Sequence, residues 1–159
     1  MFSGGKMCIM AIKARIRHTS KEMVTVKQID VVGAVIVRDN QILCAQRGST
    51  QILPHLWEFP GGKIEADEMA EQALKREIRE ELECDINVGK QVAHTIHQYD
   101  FATVRLTTFY CELAGADEPK RTEHDTLKWV HPHEMMNLNW APADIPAVKR
   151  IMDDFEHKR

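Results

Sequence analysis

The chain has 159 residues, enough for one domain with a substantial core. Its 43% hydrophobic and 28% charged content is that of a soluble globular protein, and a net charge of −3 argues against a stable nucleic-acid complex. No apolar run is long enough to span a membrane, and Cys8, Cys44, Cys84 and Cys111 form no CxxC pair, which argues against zinc and for free thiols in a reducing cytoplasm.

In chain order, the first segment carries Lys6, Lys13, Arg15, Arg17 and Lys21 against one acid, Glu22. It reads either as a targeting presequence or as an extra extension, and residues 1–24 are set apart from a single domain expected over 25–159. Gln28 to Arg38, QIDVVGAVIVR, is β-branched and nearly continuous, the pattern of a buried strand. Asp39-Asn40 signals a turn, with Gln41 to Gln46 returning as the second strand of a hairpin. Gly48 to His55 reads as a polar loop, and Trp57-Glu58-Phe59 as a short strand that delivers the chain into a glycine turn at Gly61-Gly62. A helix is expected over Met69–Leu82, with Asp67 or Glu68 near its start. Two strands, Asp85–Val88 and Gln91–Gln98, should meet at Gly89, with Val104–Leu113 pairing with the second. Thr126–Val130 reads as a last strand, Pro132–Asn137 as a short helix, and Ile145–His157 as a final helix with Val148, Ile151, Met152 and Phe155 on its apolar face. These elements give a mixed sheet with helices packed on it, an α+β fold. Composition leaves monomer and homodimer equally open.

The informative stretch runs from Gly61 to Cys84, GGKIEADEMAEQALKREIREELEC. On a helical wheel, with successive side chains turned by about 100°, Glu81 falls roughly 20° from Leu74, inside the apolar arc, and Glu77 roughly 60° away on its flank. Glu80 lies further round on that flank. An acid among core positions needs a partner or a metal, and carboxylates spaced i, i+3 and i+4 can converge. The alternative is an ordinary charged helix face. All-oxygen ligands suit Mg²⁺ or Mn²⁺, and magnesium usually shares its shell with substrate phosphates. Glu77, Glu80 and Glu81 are therefore candidate metal ligands. The glycines belong to neither a Walker loop nor a dinucleotide fingerprint, since GK[ST] and GxGxxG are both absent.

This stretch resembles the Nudix box of nucleotide pyrophosphohydrolases, G-x5-E-x7-R-E-apolar-x-E-E-x-G-apolar. Gly62, Glu68, Arg76, Glu77, Ile78, Glu80 and Glu81 match it at the right spacing. Glu83 stands where the family usually has glycine, at the place where a helix terminates, and Cys84 fills the last apolar position. Further segments resemble the MutT-like and cytidine triphosphate pyrophosphohydrolase branch: AQR at Ala45–Arg47, LWEFPGGKIE at Leu56–Glu65, EHDTLKW at Glu123–Trp129 and LNWAPADIP at Leu138–Pro146.

The resemblance implies an α/β/α sandwich and a Mg²⁺-dependent hydrolase (Mn²⁺ being an alternative cation) that converts nucleoside triphosphates to monophosphate and pyrophosphate. It implies a metal site of Gly61, Glu77, Glu80, Glu81 and Glu123, with Glu80, Glu81, Glu123 and Arg76 the groups closest to catalysis. Arg76 is expected to orient a carboxylate, or else to form a surface salt bridge. Glu123, read without the resemblance, is a loop acid. Substrate-binding residues by resemblance are Arg47, Phe59 and Asp144; read bare, they are a strand-end surface arginine, a core aromatic and a helix N-cap. In the MutT-like enzymes this chain resembles, an asparagine at the place of Asp144 reads oxidised guanine. An ionised aspartate only accepts hydrogen bonds, which favours a base with an amino group such as cytosine. The expected substrates are cytidine-type or damaged nucleotides. Sanitation of 8-oxo-dGTP is the alternative, followed by diadenosine polyphosphate hydrolysis, for which Tyr99 lies near a marker position. A reading of another class is a non-catalytic nucleotide- or RNA-binding module of the same fold.

Overall fold

A computed structural model describes residues 26–158. The expected N-terminal extension, including Cys8, lies outside the described residues. The elements are β1 (Gln28–Arg38), β2 (Gln41–Gln46), β3 (Trp57–Glu58), β4 (Gly61–Lys63), α1 (Ala70–Leu82), β5 (Asp85–Gln98), β6 (Thr103–Ala114), β7 (Thr126–Val130) and α2 (Ile145–Glu156), with 3-10 turns at Pro132–Asn137 and Pro142–Asp144 before α2.

The β-branched β1 is the spine. It pairs in parallel with β6 along most of its length, and β6 pairs antiparallel with β5. On its other side β1 is shared: Val31–Gly33 pair with β4, and Val37–Arg38 pair with β2. Strand β2 in turn pairs with β3 and β7. Asp39 and Asn40 both take positive φ (51° and 61°), the left-handed conformation that closes a two-residue hairpin and that Asp and Asn tolerate.

Side chains alternate across β1, and both faces are buried. Val32, Ala34 and Ile36 pack under Leu74, Ile78 and Leu82 of α1. Val35 packs on the other face with Ala147, Val148 and Ile151 of α2. The result is the expected three-layer α/β/α sandwich.

Two local expectations are corrected. Gly61-Gly62 is not a turn: the pair forms β4, because its backbone pairs with Val32 and Gly33 in β1. A Cβ at Gly61 would lie 2.0 Å from the Val32 carbonyl oxygen, so glycine is required for close approach of two strands. The two strands expected around Gly89 are one continuous β5, interrupted by register shifts between Val88 and Ala93 that absorb the glycine as a bulge. Helix α1 starts as expected, with Asp67 and Glu68 just before it: its cap is Met69, whose N–H donates to Gln72 Oε1 at 3.1 Å.

Helix α1 ends at Glu83, which adopts the left-handed conformation (φ 52°, ψ 37°) and donates its N–H to Arg79 O. The geometry glycine would supply is therefore kept without glycine. Cys44, Cys84 and Cys111 are buried free thiols. No described helix is long and apolar enough to cross a membrane.

Candidate active site

The core-facing side of α1 carries two acids. Glu77 and Glu81 are each only 1% exposed, while Glu80 is half-buried beside them. Burying Leu74, Ile78 and Leu82 contributes roughly 1.5–3 kcal/mol apiece, which holds in place two carboxyl groups that would otherwise stay in water.

Strand β4 passes directly over these acids. Gly61 N–H donates to Glu81 Oε2 at 3.3 Å. A Cβ on Gly62 would lie 2.4 Å from the Glu77 carboxyl carbon. The two glycines thus have different tasks: Gly61 admits the neighbouring strand, and Gly62 admits a carboxylate.

Arg76 reaches across the box. Its Nε and Nη2 donate to Glu68 at 2.7 and 2.8 Å, its Nη1 to Glu77 Oε1 at 2.8 Å, and its Nη2 to Lys63 O at 3.1 Å. Glu80 Oε2 lies 3.5 Å from Arg76 Nη1. Arg76 is therefore a clamp on carboxylates and on β4, as the sequence suggested, and Glu68 is its anchor. The hydrogen bond from Arg76 holds the Glu68 carboxyl below its ordinary range.

The electrostatics favour a cation here. Burial pushes the Glu77 carboxyl up to about 7, against the pull of Arg76 and with help from Glu80. Burial likewise pushes Glu81 well above the carboxylate range, reinforced by the charges of Glu58, Glu77 and Glu123. Glu77 Oε2 and Glu80 Oε2 are buried and receive no hydrogen bond. Among the described residues no three acidic, imidazole or thiol groups already form a cage around one point. Still, hard oxygen donors, two of them without a hydrogen-bond donor, in a field of excess negative charge fit a divalent oxygen-seeking cation. Glu77, Glu80 and Glu81 would hold it, with the Gly61 backbone alongside.

Glu123 lies in the loop before β7, close enough for its charge to act on Glu81. That loop is tied to the far end of α1 by Thr122 Oγ1 to Glu81 O and by Lys120 N–H to Leu82 O at 2.8 Å. The structure thus brings Glu123 to the carboxylates of α1 over a sequence gap of about forty residues, which no local pattern encodes.

Beyond the acids lies a second group. Arg47 is fully buried and not a surface arginine: its Nη1 pairs with both oxygens of Glu58 at 3.0 and 2.9 Å, and its Nε donates to Ile52 O at 2.8 Å. His124 Nε2 lies 3.0 Å from Glu58 Oε1. Burial works against the charge on Glu58, but hydrogen bonds from His124 and the Arg47 guanidinium keep the carboxyl below its ordinary range. Sequence reading gave Glu58 and His124 no role. The available signal was an acid between two aromatics, Trp57 and Phe59, on the strand leading into the glycines.

Phe59 is a core aromatic, 4% exposed and 4.9 Å from the Trp140 ring. It also borders a cavity of about 20 Å³ shared with Glu58, Gly61, Tyr99, Ala143 and Asp144. That space holds about one water molecule. A larger cavity, about 840 Å³, lies elsewhere, between the β5 bulge and the end of α2 near Lys90, Tyr110 and Phe155, and holds none of the site carboxylates.

Asp144 is 5% exposed and its side chain does not cap α2. Instead, Asp144 Oδ1 accepts the Phe59 N–H at 3.1 Å. Asp144 thus stands at the N-cap position as expected but makes no side-chain cap bond: Pro142–Asp144 is already wound as a 3-10 turn, with Asp144 N–H bonded to Ala141 O, and the carboxyl meets the backbone just after β3. Burial, followed by the charge of Glu58, pushes the Asp144 carboxyl well above its ordinary range, which favours the neutral acid over the carboxylate assumed from sequence. Tyr99 is a strut beneath this turn: its hydroxyl accepts Ala143 N–H at 2.9 Å.

A family model described as NUDIX domain matches residues 31–150. The chain is 40% identical over 127 residues to a protein named CTP pyrophosphohydrolase from Escherichia coli (strain K12), covering 79% of this chain and 93% of that one. It is 41% identical over 123 residues to an 8-oxo-dGTP diphosphatase of the same organism, covering 76% and 92%. The solution NMR structure of a protein called DNA mismatch repair protein MutT, family Nudix hydrolase, from methicillin-resistant Staphylococcus aureus 252 superimposes with a TM-score of 0.68 at 53% identity, covering 82% of this chain and 99% of that one.

Proposed function

This chain belongs to the NUDIX domain family, and from that premise we propose that it is a Mg²⁺-dependent pyrophosphohydrolase of nucleoside triphosphates, yielding monophosphate and pyrophosphate. The observation that carries the reading is the pair of buried acids, Glu77 and Glu81, beneath a glycine strand that leaves no room for other side chains. When bound, divalent cations neutralise the polyphosphate and make water a better nucleophile. The chain's own part is to hold them. Glu77, Glu80 and Glu81 serve as ligands, with Gly61 and Glu123 completing the set. Arg76 keeps the carboxylates in register through Glu68 and Lys63. Glu80, Glu81 and Glu123 are the candidates for activating water.

Base choice rests on Asp144, with Arg47 and Phe59 shaping the same region. A neutral carboxyl presents one donor and one acceptor side by side. That pair complements the N3/N4 edge of cytosine, and it equally complements the O6/N7–H edge of 8-oxoguanine. Cytidine-type triphosphates are the first reading, in line with the relative named for CTP. The buried, proton-favouring setting of Asp144 supports 8-oxo-dGTP as the second, in line with the relative named for that substrate. Tyr99, engaged in holding Ala143, gives no support to diadenosine polyphosphates.

The test is pyrophosphate release from CTP, dCTP, 5-methyl-dCTP and 8-oxo-dGTP with Mg²⁺, for the wild type and Asp144→Asn. The expected outcome is metal-dependent turnover with a base preference that the substitution shifts. No metal-dependent release from any member of the panel would overturn the proposal, and an unshifted preference would remove Asp144 from it.

A further inference from the structure

Glu123 is the one proposed ligand not carried by β4 or α1, so something must fix its loop. The residues on either side of it are both tied down. Before it, the Thr122 hydroxyl donates to the backbone carbonyl of Glu81, itself a proposed ligand. After it, His124 turns inward, 4% exposed, and its Nε2 reaches Glu58 Oε1 at 3.0 Å. Glu58 is held by Arg47 Nη1, and its strand continues through Phe59 and Pro60 into Gly61, whose N–H meets Glu81. The hydrogen bonds therefore run from the loop to β3, from β3 through the chain to Gly61, and from Gly61 back to the box helix. His124 is where that circuit meets the loop.

We infer that His124 is a positioning residue: by donating from Nε2 to Glu58 it holds the adjacent Glu123 at the cation site. The inference rests on the proposed metal-dependent hydrolase and adds to it a residue that touches neither cation nor substrate. Groups that orient a ligand from behind are commonly worth about 10–100-fold in metal affinity or activity.

The two ring nitrogens are unequal here. Nδ1 is buried and has no hydrogen-bond partner. Only the Nε2 position does work, and a glutamine amide can place an N–H near that point. Phenylalanine fills a similar volume with no donor.

The experiment compares the wild type, His124→Gln and His124→Phe in full-length protein. It reads Mn²⁺ binding without nucleotide, by electron paramagnetic resonance of the free ion, alongside kcat, KM and the thermal midpoint. His124→Phe is expected to weaken Mn²⁺ binding and lower kcat by about 10-fold or more, with KM for nucleotide nearly unchanged, and His124→Gln is expected to restore most of both. A His124→Phe protein that melts earlier but binds Mn²⁺ and turns over like the wild type would show a merely structural histidine and overturn the inference. Equal losses in both variants would overturn it too. A wild type that neither binds Mn²⁺ nor hydrolyses nucleotide would instead sink the hydrolase reading, and the inference with it.

Discussion

The two helices sandwich one sheet, yet their buried faces differ in kind. Helix α2 buries Ala147, Val148 and Ile151, all apolar. Helix α1 buries Ala73, Leu74, Ile78 and Leu82, and with them Glu77 and Glu81. Both are anchored by ordinary hydrophobic contact with β1. Only α1 uses that anchorage to hold charge out of water. The lesson is that a functional helix is visible as a packing helix carrying residues that packing alone would reject.

The sharpest way to break this contrast is Glu81→Gln. Turnover should fall by about 10²–10³-fold, the scale of losing one preorganised charge partner of a transition state. In the metal-free protein the same change should cost nothing in thermal stability or raise it, since it removes a buried ionisable acid. The matching change on the other helix, Ile151→Val, should cost about 1 kcal/mol of stability and leave kcat alone. Urea melts and pyrophosphate assays on the pair check both statements.

Acidity sharpens the contrast next. Glu77, Glu81 and Asp144 all bind protons more tightly folded than unfolded. Their contribution to stability is complete below the ordinary carboxylate range and is lost as pH rises, for Glu77 through about 7. Metal-free protein should therefore lose stability between about pH 5 and 8. Saturating Mg²⁺ should flatten that slope, because the cation replaces the protons. A slope insensitive to Mg²⁺ would mean that the cation does not sit among these acids.

The smallest expected effect lies where α1 ends. Glu83 holds a left-handed conformation that costs a non-glycine residue about 1 kcal/mol. Its contact with Lys120 at 3.8 Å is exposed and contributes little. Glu83→Gly should therefore stabilise by about 0.5–1 kcal/mol, read by chemical denaturation, with activity unchanged.

What was legible in the sequence follows the range of the interactions. Strands β1, β2 and β7 and helix α1 declare themselves through local periodicity, and Glu81 stood out because it breaks that periodicity. Long-range pairing was hidden. The glycines read as a turn because nothing nearby reveals that β1 lies alongside them. Arg47, a substrate-binding residue by resemblance, read bare as a surface arginine because its partner Glu58 is eleven residues away and itself buried. Asp144 read as a helix cap because Asp-Ile-Pro has that local form, while its true partner is the Phe59 backbone, 85 residues earlier. The link from His124 to Glu58 spans 66 residues and had no local signature at all.

The turn bearing Asp144 is held by backbone bonds, by the Tyr99 hydroxyl below it and by one carboxyl oxygen that accepts the Phe59 N–H, a bond an asparagine oxygen can also accept. The display can therefore be exchanged while the mount stays fixed. If Asp144 reads the base as proposed, a single codon change at 144 redirects the site toward a different nucleobase without rebuilding its walls. Such separability gives one scaffold a short mutational path between substrates.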